Sequence, residues 1–295
     1  MSVTRLVGLI GYPVGHSRSP AMQQAVFDAL SISARYLLWE TPPDTLAGRI
    51  ASLRAPEMLG ANVTIPHKTA VVPLLDALAS SAKQAGGAVN TIVREQDGTL
   101  TGHNTDVTGV LRVLDAHTAG DGKTEQSLLV VGAGGAARAA WVAARERGMA
   151  LRVAARNPTA AHQALDALGL ASAEVLAIDD HEAMTRALAA SGVLINATPV
   201  GMENPLASPL PAELLAHMPP NALVFDMVYA PPETALLRAA QSLGLRTAGG
   251  LEMLLEQGAA AFQLWTGQPA PLAVMRAALG LNAGQAVNDA RLRKA

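Results

Sequence analysis

The residues best suited to chemistry are a lysine and an aspartate, each set where a predicted strand gives way to a turn. In Leu59-Gly60-Ala61-Asn62-Val63-Thr64-Ile65-Pro66-His67-Lys68 an apolar run stops at Pro66. Alternation along that strand puts Asn62 and Thr64 on one face and leaves Lys68 just past the end, at the start of a following helix. Asp106 closes Thr101-Gly102-His103-Asn104-Thr105-Asp106 and precedes a predicted helix over 107–117, whose dipole favours an ionised carboxylate. Each has a plainer reading, Lys68 as a surface charge and Asp106 as a helix cap. Paired, a cation and a carboxylate beside polar side chains can hold and move a proton. His67 reads as loop surface.

A second group lies near the N-terminus, in His16-Ser17-Arg18-Ser19-Pro20. Ser19 before Pro20 reads as an N-cap followed by proline at the first helical position, and Met22, Val26, Phe27 and Leu30 supply the helix's apolar face. Ser17 stands two residues ahead of that cap. Two hydroxyls at a helix start make a receptor for a carboxylate.

A third group is the run from Ser127 to Gly148, SLLVVGAGGAARAAWVAARERG, which reads as strand, glycine turn and helix. Gly132, Ala133, Gly134, Gly135 and Ala136 form the turn, and the helix after them aims its first N–H groups at an anion such as a pyrophosphate. A second strand, 151–155, ends at Arg156. An acid there would suit a ribose 2′-hydroxyl, whereas an arginine suits a 2′-phosphate, so NADP(H) is the expected cofactor, with NAD(H) as the alternative.

The elements that must position these groups follow from the patterning. Strands are predicted at 5–11, 34–39, 59–65 and in a hairpin about Asp97-Gly98, with helices from Ser19, over 44–53 and over 72–84. Beyond a linker at 119–126, strands and helices alternate to residue 248, which specifies a parallel, doubly wound sheet with its ligands at the strands' carboxyl ends. The stretches 132–136, 156, 198–202 and 229 all fall there. Helices over 251–265 and 272–279 follow, then a polar end over 282–295.

Composition narrows the class of partner. The chain has 295 residues, enough for two domains, and its 16% charged content lies below the ~25% usual in soluble domains. The absence of cysteine excludes disulfides and thiolate chemistry. The seven histidines show no ligand spacing, so no metal is expected. A net charge of −2 with no basic block argues against nucleic acid, and the lack of a long apolar window or leader pattern against a membrane or secretion. A cytoplasmic protein acting on a small molecule, as a monomer or homodimer, is expected.

Taken together, the motifs resemble those of the shikimate dehydrogenase family over nearly the whole chain. HSRSP at 16–20, NVTIPHK at 62–68, AVNT at 88–91, GHNTDVTG at 102–109, GAGGAARA at 132–139, NATPVGM at 196–202, DMVYAPPET at 226–234 and the stretch from Gly250 through Gln257 to Gly267 carry the likeness. It implies reversible oxidation of shikimate to 3-dehydroshikimate with a nicotinamide cofactor. By motif, Lys68 and Asp106 would be the catalytic pair. Ser17 and Ser19 would bind the substrate carboxylate, and Thr64, Asn90, Tyr229 and Gln257 its hydroxyls, with Asn62 close by. Thr198, Met202 and Gly250 would join the glycine turn and Arg156 around the cofactor, Met202 and Gly250 bordering the nicotinamide.

The resemblance further implies an α/β protein of two domains, a substrate-binding domain of residues 1–105 and 250–295 and an inserted Rossmann-like domain of 106–249, with a cleft between them. One departure stands out. Where NADP-preferring members carry N-R-T followed by a second basic residue, this chain reads Ala155-Arg156-Asn157-Pro158-Thr159-Ala160. Relatives that oxidise quinate, act on aminoshikimate or accept NAD are therefore alternatives. A nucleotide sensor on the same fold would be expected to lack the catalytic pair.

Overall fold

The computed structural model describes residues 4–117 and 126–281, so the expected linker, apart from Gln126, and the polar C-terminal end lie outside the described residues. The chain divides into two compact units, one running to Gly109 and resuming at Leu254, the other Val110–Met253.

The first unit is built on strands β1 (Arg5–Gly11), β2 (Ala34–Glu40), β3 (Met58–Val63), β4 (Ala77–Leu78), β5 (Thr91–Arg94) and β6 (Leu100–His103), with helices α1 (Ser19–Ala29), α2 (Leu46–Ser52) and α3 (Ser80–Gln84). The sheet order is β2-β1-β3-β5-β6-β4. β1 runs parallel to β2 and β3, while β5 is antiparallel to β3 and β6. That reversal brings the end of β3, the start of β5 and the end of β6 to one edge of the sheet, where Asn62 pairs with Thr91 and Thr91 with His103. α2 and one sheet face enclose Ile10, Ile50, Leu53, Val63, Ile92 and Leu100.

The helix expected over 72–84 does not form. A 3-10 turn at Val72–Leu74 is followed by β4 and the short α3. Pro73 cannot supply a helical N–H, and the Asp76 carboxylate accepts the Leu100 N–H at 2.7 Å and pairs with Arg54 at 2.6 Å, drawing the chain alongside β6 instead. Lys68 accordingly sits on a turn and not at a helix start.

Helix α4 (Asp106–His117) carries the chain into the second unit, built of β7 (Ser127–Val131), α5 (Gly135–Glu146), β8 (Ala150–Ala155), α6 (Pro158–Asp166), β9 (Glu174–Ala177), α7 (His181–Ala189), β10 (Val193–Asn196), β11 (Leu223–Asp226), α8 (Ala235–Ser242) and β12 (Arg246–Gly249). The order is β12-β11-β10-β7-β8-β9, every pair parallel. This is the doubly wound arrangement, with its switch point between β7 and β10. Leu128 to Val131 and Val193 to Ile195 are fully buried, as strands covered by helices on both faces must be. A 3-10 segment, Ala212–His217, lies outside the expected pattern and seals one face with Leu214 and Leu215.

Helix α9 (Gly250–Thr266) returns the chain to the first unit, followed by α10 (Leu272–Ala278). Two glycines seat it. A side chain at Gly258 would lie 2.2 Å from Met22, and the Gly258 carbonyl accepts from Gln23 at 2.9 Å, so α9 packs closely on α1. Gly60, at φ +144°, leaves room for Trp265 to donate from Nε1 to the Ile92 carbonyl at 3.0 Å. No helix among the described residues is long and apolar enough to cross a membrane.

Candidate functional site

In the first unit the sheet edge gathers Lys68, Asn62, Asn90, Asp106 and Gln257. Lys68 Nζ donates to Asp106 Oδ2 at 2.6 Å, with side chains only 18% and 8% exposed. The other carboxylate oxygen, Oδ1, accepts from Asn90 Nδ2 at 2.8 Å. The Thr105 backbone N–H donates to Asn90 Oδ1 at 2.7 Å, which fixes the amide's orientation and points its N–H group at Asp106 and at Thr105 Oγ1, 2.9 Å away. Asp106 is not the cap of α4: Asn104 Oδ1 accepts the Val107 N–H at 3.1 Å and fills that role, leaving both Asp106 oxygens for Lys68 and Asn90.

The remaining polar residues surround this pair. Tyr36 donates its hydroxyl to Asn62 Oδ1 at 2.8 Å, and Asn62 Nδ2 reaches the Asn90 carbonyl and Thr91 Oγ1 at 3.2 and 3.1 Å. Gln257 Oε1 stands 3.4 Å from Asn90 Nδ2, and its Nε2 donates to the Leu254 carbonyl at 3.0 Å. Thr64 follows β3, half-buried, its N–H bonded to the Ile10 carbonyl. Sequence patterning does not single out Thr105, Tyr36 or Thr91. Thr105 adjoins Asp106 in its motif, which is the available signal.

Two expectations need correction. His67 is buried, 1% exposed, with Nε2 placed 2.6 Å from the Thr41 carbonyl; the oxygen only accepts, so Nε2 carries the proton. Its ring ties the turn bearing Lys68 to the end of β2, and the Lys68 carbonyl accepts the Val89 N–H at 2.7 Å on the other side. Ser19 is not the cap of α1, because the helix starts at Ser19 itself after Arg18, which gives no side-chain cap. The Ser17 hydroxyl instead accepts the Ser19 N–H at 3.2 Å, at the start of the helix. Proline is tolerated anywhere in the first turn, and Pro20 therefore does not pin the cap to its neighbour.

In the second unit the glycine turn lies at the end of β7. Gly132 has φ +119°, and a side chain there would come within 3.2 Å of the Ala197 carbonyl and Thr198. Gly134 caps α5 with no side-chain bond, and nothing stands within 4 Å of where its Cβ would be. The start of a twelve-residue helix thus has no side-chain cap and a bare glycine beside it, which fits the phosphates of a dinucleotide. Arg156 is exposed just past β8, while Asn157 beside it caps α6 by accepting the Ala160 N–H at 3.0 Å.

Strands β10 and β11 end in Asn196 and Asp226, both fully buried and paired across the ladder. Thr198 and Met202 follow the first, Met202 being 49% exposed, and Tyr229 follows the second. Gly250 packs against the Met227 carbonyl, 2.3 Å from where a side chain would begin. Burial pushes the Asp226 carboxyl up, against hydrogen bonds from Thr234, Val228 and Asn196 that favour its ionised form. In the first unit, burial pushes the His103 imidazole down. Among the described residues no group of three or more His, Asp or Glu could hold a metal ion.

A doubly wound sheet with an uncapped glycine turn, accompanied by a mixed sheet edged with a lysine–aspartate pair, defines a two-unit α/β protein of the dinucleotide-binding class. Residues 9–92 match the family model for the shikimate dehydrogenase substrate binding domain, and residues 250–279 that for the shikimate 5′-dehydrogenase C-terminal domain. The chain is 42% identical over 287 residues to the shikimate dehydrogenase (NADP(+)) of Symbiobacterium thermophilum, covering 95% of this chain and 96% of that one. It superposes on the crystal structure of shikimate 5-dehydrogenase from Thermus thermophilus in complex with NADP(H) and shikimate with a TM-score of 0.82 at 38% identity, covering 94% and 98% of the two chains. The quinate dehydrogenase of Corynebacterium glutamicum in complex with NAD gives a TM-score of 0.81 at 32% identity, covering 93% and 98%. The chain belongs to the shikimate dehydrogenase family.

Proposed function

We propose that the protein catalyses the reversible, NADP-dependent oxidation of shikimate to 3-dehydroshikimate. The observation that carries this reading is the Lys68–Asp106 pair, held at 2.6 Å and largely withdrawn from water. Desolvating two charges is costly, and a surface pair would contribute little to stability, so the arrangement suits proton handling better than structural support. The relative from Symbiobacterium thermophilum is named a shikimate dehydrogenase (NADP(+)), and the Thermus thermophilus structure holds NADP(H) and shikimate, which supports the same reading here.

In this account residues 1–105 and 250–295 bind substrate and residues 106–249 bind cofactor. Ser17 and Ser19 hold the substrate carboxylate, and Thr64, Asn90, Tyr229 and Gln257 its hydroxyls, with Asn62 alongside. In the oxidation direction Lys68 acts from its neutral amine form, accepting the proton of the hydroxyl under oxidation, and in the reverse direction its ammonium form returns that proton to the developing alkoxide. Asp106 holds the amine in place and balances its charge, and Asn90 fixes the carboxylate. Gly132, Ala133, Gly134, Gly135 and Ala136 receive the pyrophosphate, Arg156 the 2′-phosphate, and Thr198, Met202 and Gly250 the nicotinamide end. NADP⁺ supplies the hydride acceptor.

A second reading, use of quinate or NAD as well, is favoured by the single basic residue at the end of β8: Ala160 occupies the second basic position and Asn157 is spent on capping α6. A cytoplasmic location, a small-molecule partner with no nucleic acid, and a monomeric or homodimeric state complete the proposal. The test is steady-state turnover of shikimate by the protein and its Lys68→Ala variant. We expect kcat to fall by a factor on the order of 10² or more with little change in KM. Equal kcat in the variant would remove Lys68 from the chemistry.

A further inference from the structure

Asn196 and Asp226 end neighbouring parallel strands, and a network centred on buried side chains joins the loops that follow them. Asp226 Oδ1 accepts from Asn196 Nδ2 at 2.8 Å and from the Val228 N–H at 3.0 Å, and Oδ2 accepts from Thr234 Oγ1 at 2.6 Å. Asn196 in turn accepts the Thr198 N–H and hydroxyl on Oδ1, at 3.0 and 2.7 Å, and its Nδ2 lies 3.4 Å from the Val200 carbonyl. Thr234 also caps α8 by accepting the Leu237 N–H at 3.3 Å. All three residues are fully buried.

A carboxylate surrounded only by donors orients everything that donates to it. Asn196 has its amide direction set by Asp226, and that direction decides where Thr198 is held. Val228 and Thr234, the other two donors, bracket the segment carrying Tyr229. We propose that Asp226 is a positioning residue for the reaction: one buried anion sets both the 197–202 loop, which bears Thr198 and Met202, and the 227–234 loop, which bears Tyr229, so that cofactor and substrate contacts are fixed together. The link to catalysis rests on the function proposed above; the bracing of the two loops does not.

The test uses Thr234→Val, which keeps the side-chain shape but removes the donor to Asp226, Thr234→Ser, which restores it, and Asp226→Asn. Amide hydrogen exchange on the ligand-free proteins reads the brace directly. We expect faster exchange in both 197–202 and 227–234 for Thr234→Val and a smaller change for Asp226→Asn, whose amide retains an acceptor. Thr234→Ser should match the parent. In turnover, KM for NADP⁺ and for shikimate should both rise on the order of 10-fold in Thr234→Val, the scale of a lost hydrogen bond to a charged group.

The primary isotope effect with shikimate deuterated at the oxidised carbon should grow as hydride transfer becomes limiting. Exchange changes confined to the start of α8, with KM and isotope effect unmoved, would reduce Thr234 to a helix cap and overturn the proposal. Absence of shikimate turnover in the parent protein would instead contradict the proposed function, and the exchange pattern would still decide the brace.

Discussion

Asp106 divides its two oxygens between Lys68 and Asn90, and Arg156 stands exposed beyond β8; the two make opposite demands on a substitution. Asp106→Ala leaves a largely buried ammonium without its partner. We expect a loss of about 3 kcal/mol in urea unfolding, the low end for a broken buried pair because Lys68 keeps some water, together with loss of turnover. Unchanged stability would show the pair to be solvated. Arg156→Ala should leave stability alone and raise KM for NADP⁺ by about 10-fold or more through loss of a charge-assisted contact, with NAD⁺ nearly unaffected. An equal effect on both cofactors would remove the 2′-phosphate assignment. Both residues are visible in the sequence, because a charge at a strand end is conspicuous. Asn196 and Asp226 open two of the quoted motifs, but their bonds to one another and to Thr234 are not legible there, since a buried side chain's partners emerge only when the strands pair.

At the scale of elements, the strands and glycine turns are legible in the sequence and the segment carrying Lys68 is not. Strand runs such as Leu128 to Val131 announce themselves by continuous apolar character, and the turn at Gly132 by residues tolerating a positive φ. The stretch over 72–84 has helical composition, yet Asp76 finds partners in Arg54 and Leu100 that are distant in sequence and outweigh local preference. His67 misleads for the same reason, since its partner, Thr41, lies on another strand connection. Because that contact anchors the turn ahead of Lys68, His67→Ala should cost about 2–4 kcal/mol from the stranded carbonyl and the cavity and lower kcat as well. Unaltered unfolding and kcat would show that Val89 alone holds the turn. Gly60→Ala is expected to be worse, placing a Cβ 2.0 Å from the Ile92 carbonyl in a left-handed conformation. Recovery of soluble, cooperatively unfolding protein would contradict that packing.

For the whole molecule, stability should depend on pH through two groups shifted by burial that act in opposite senses. Burial holds the His103 pKa below its ordinary 6.5, so an unfolded chain binds that proton more readily. Its contribution is present in full above about pH 6.5 and lost as pH falls through the lowered folded value. Asp226, raised by burial, acts in the opposite sense: its contribution is greatest below the ordinary 3.8 and lost as pH rises through the raised folded value. Melting temperature against pH for His103→Gln should therefore fall less steeply below pH 6.5 than in the parent; parallel curves would exclude His103 as the source. The mixed sheet carries the Lys68–Asp106 pair and the parallel sheet the glycine turn; under the proposed function the first unit would supply acid–base chemistry and the second dinucleotide recognition. The most direct test is the initial rate of nicotinamide reduction with shikimate and with quinate, each offered with NADP⁺ and with NAD⁺. The fastest rate is expected for shikimate with NADP⁺; no reduction from shikimate with either cofactor would contradict the proposed reaction.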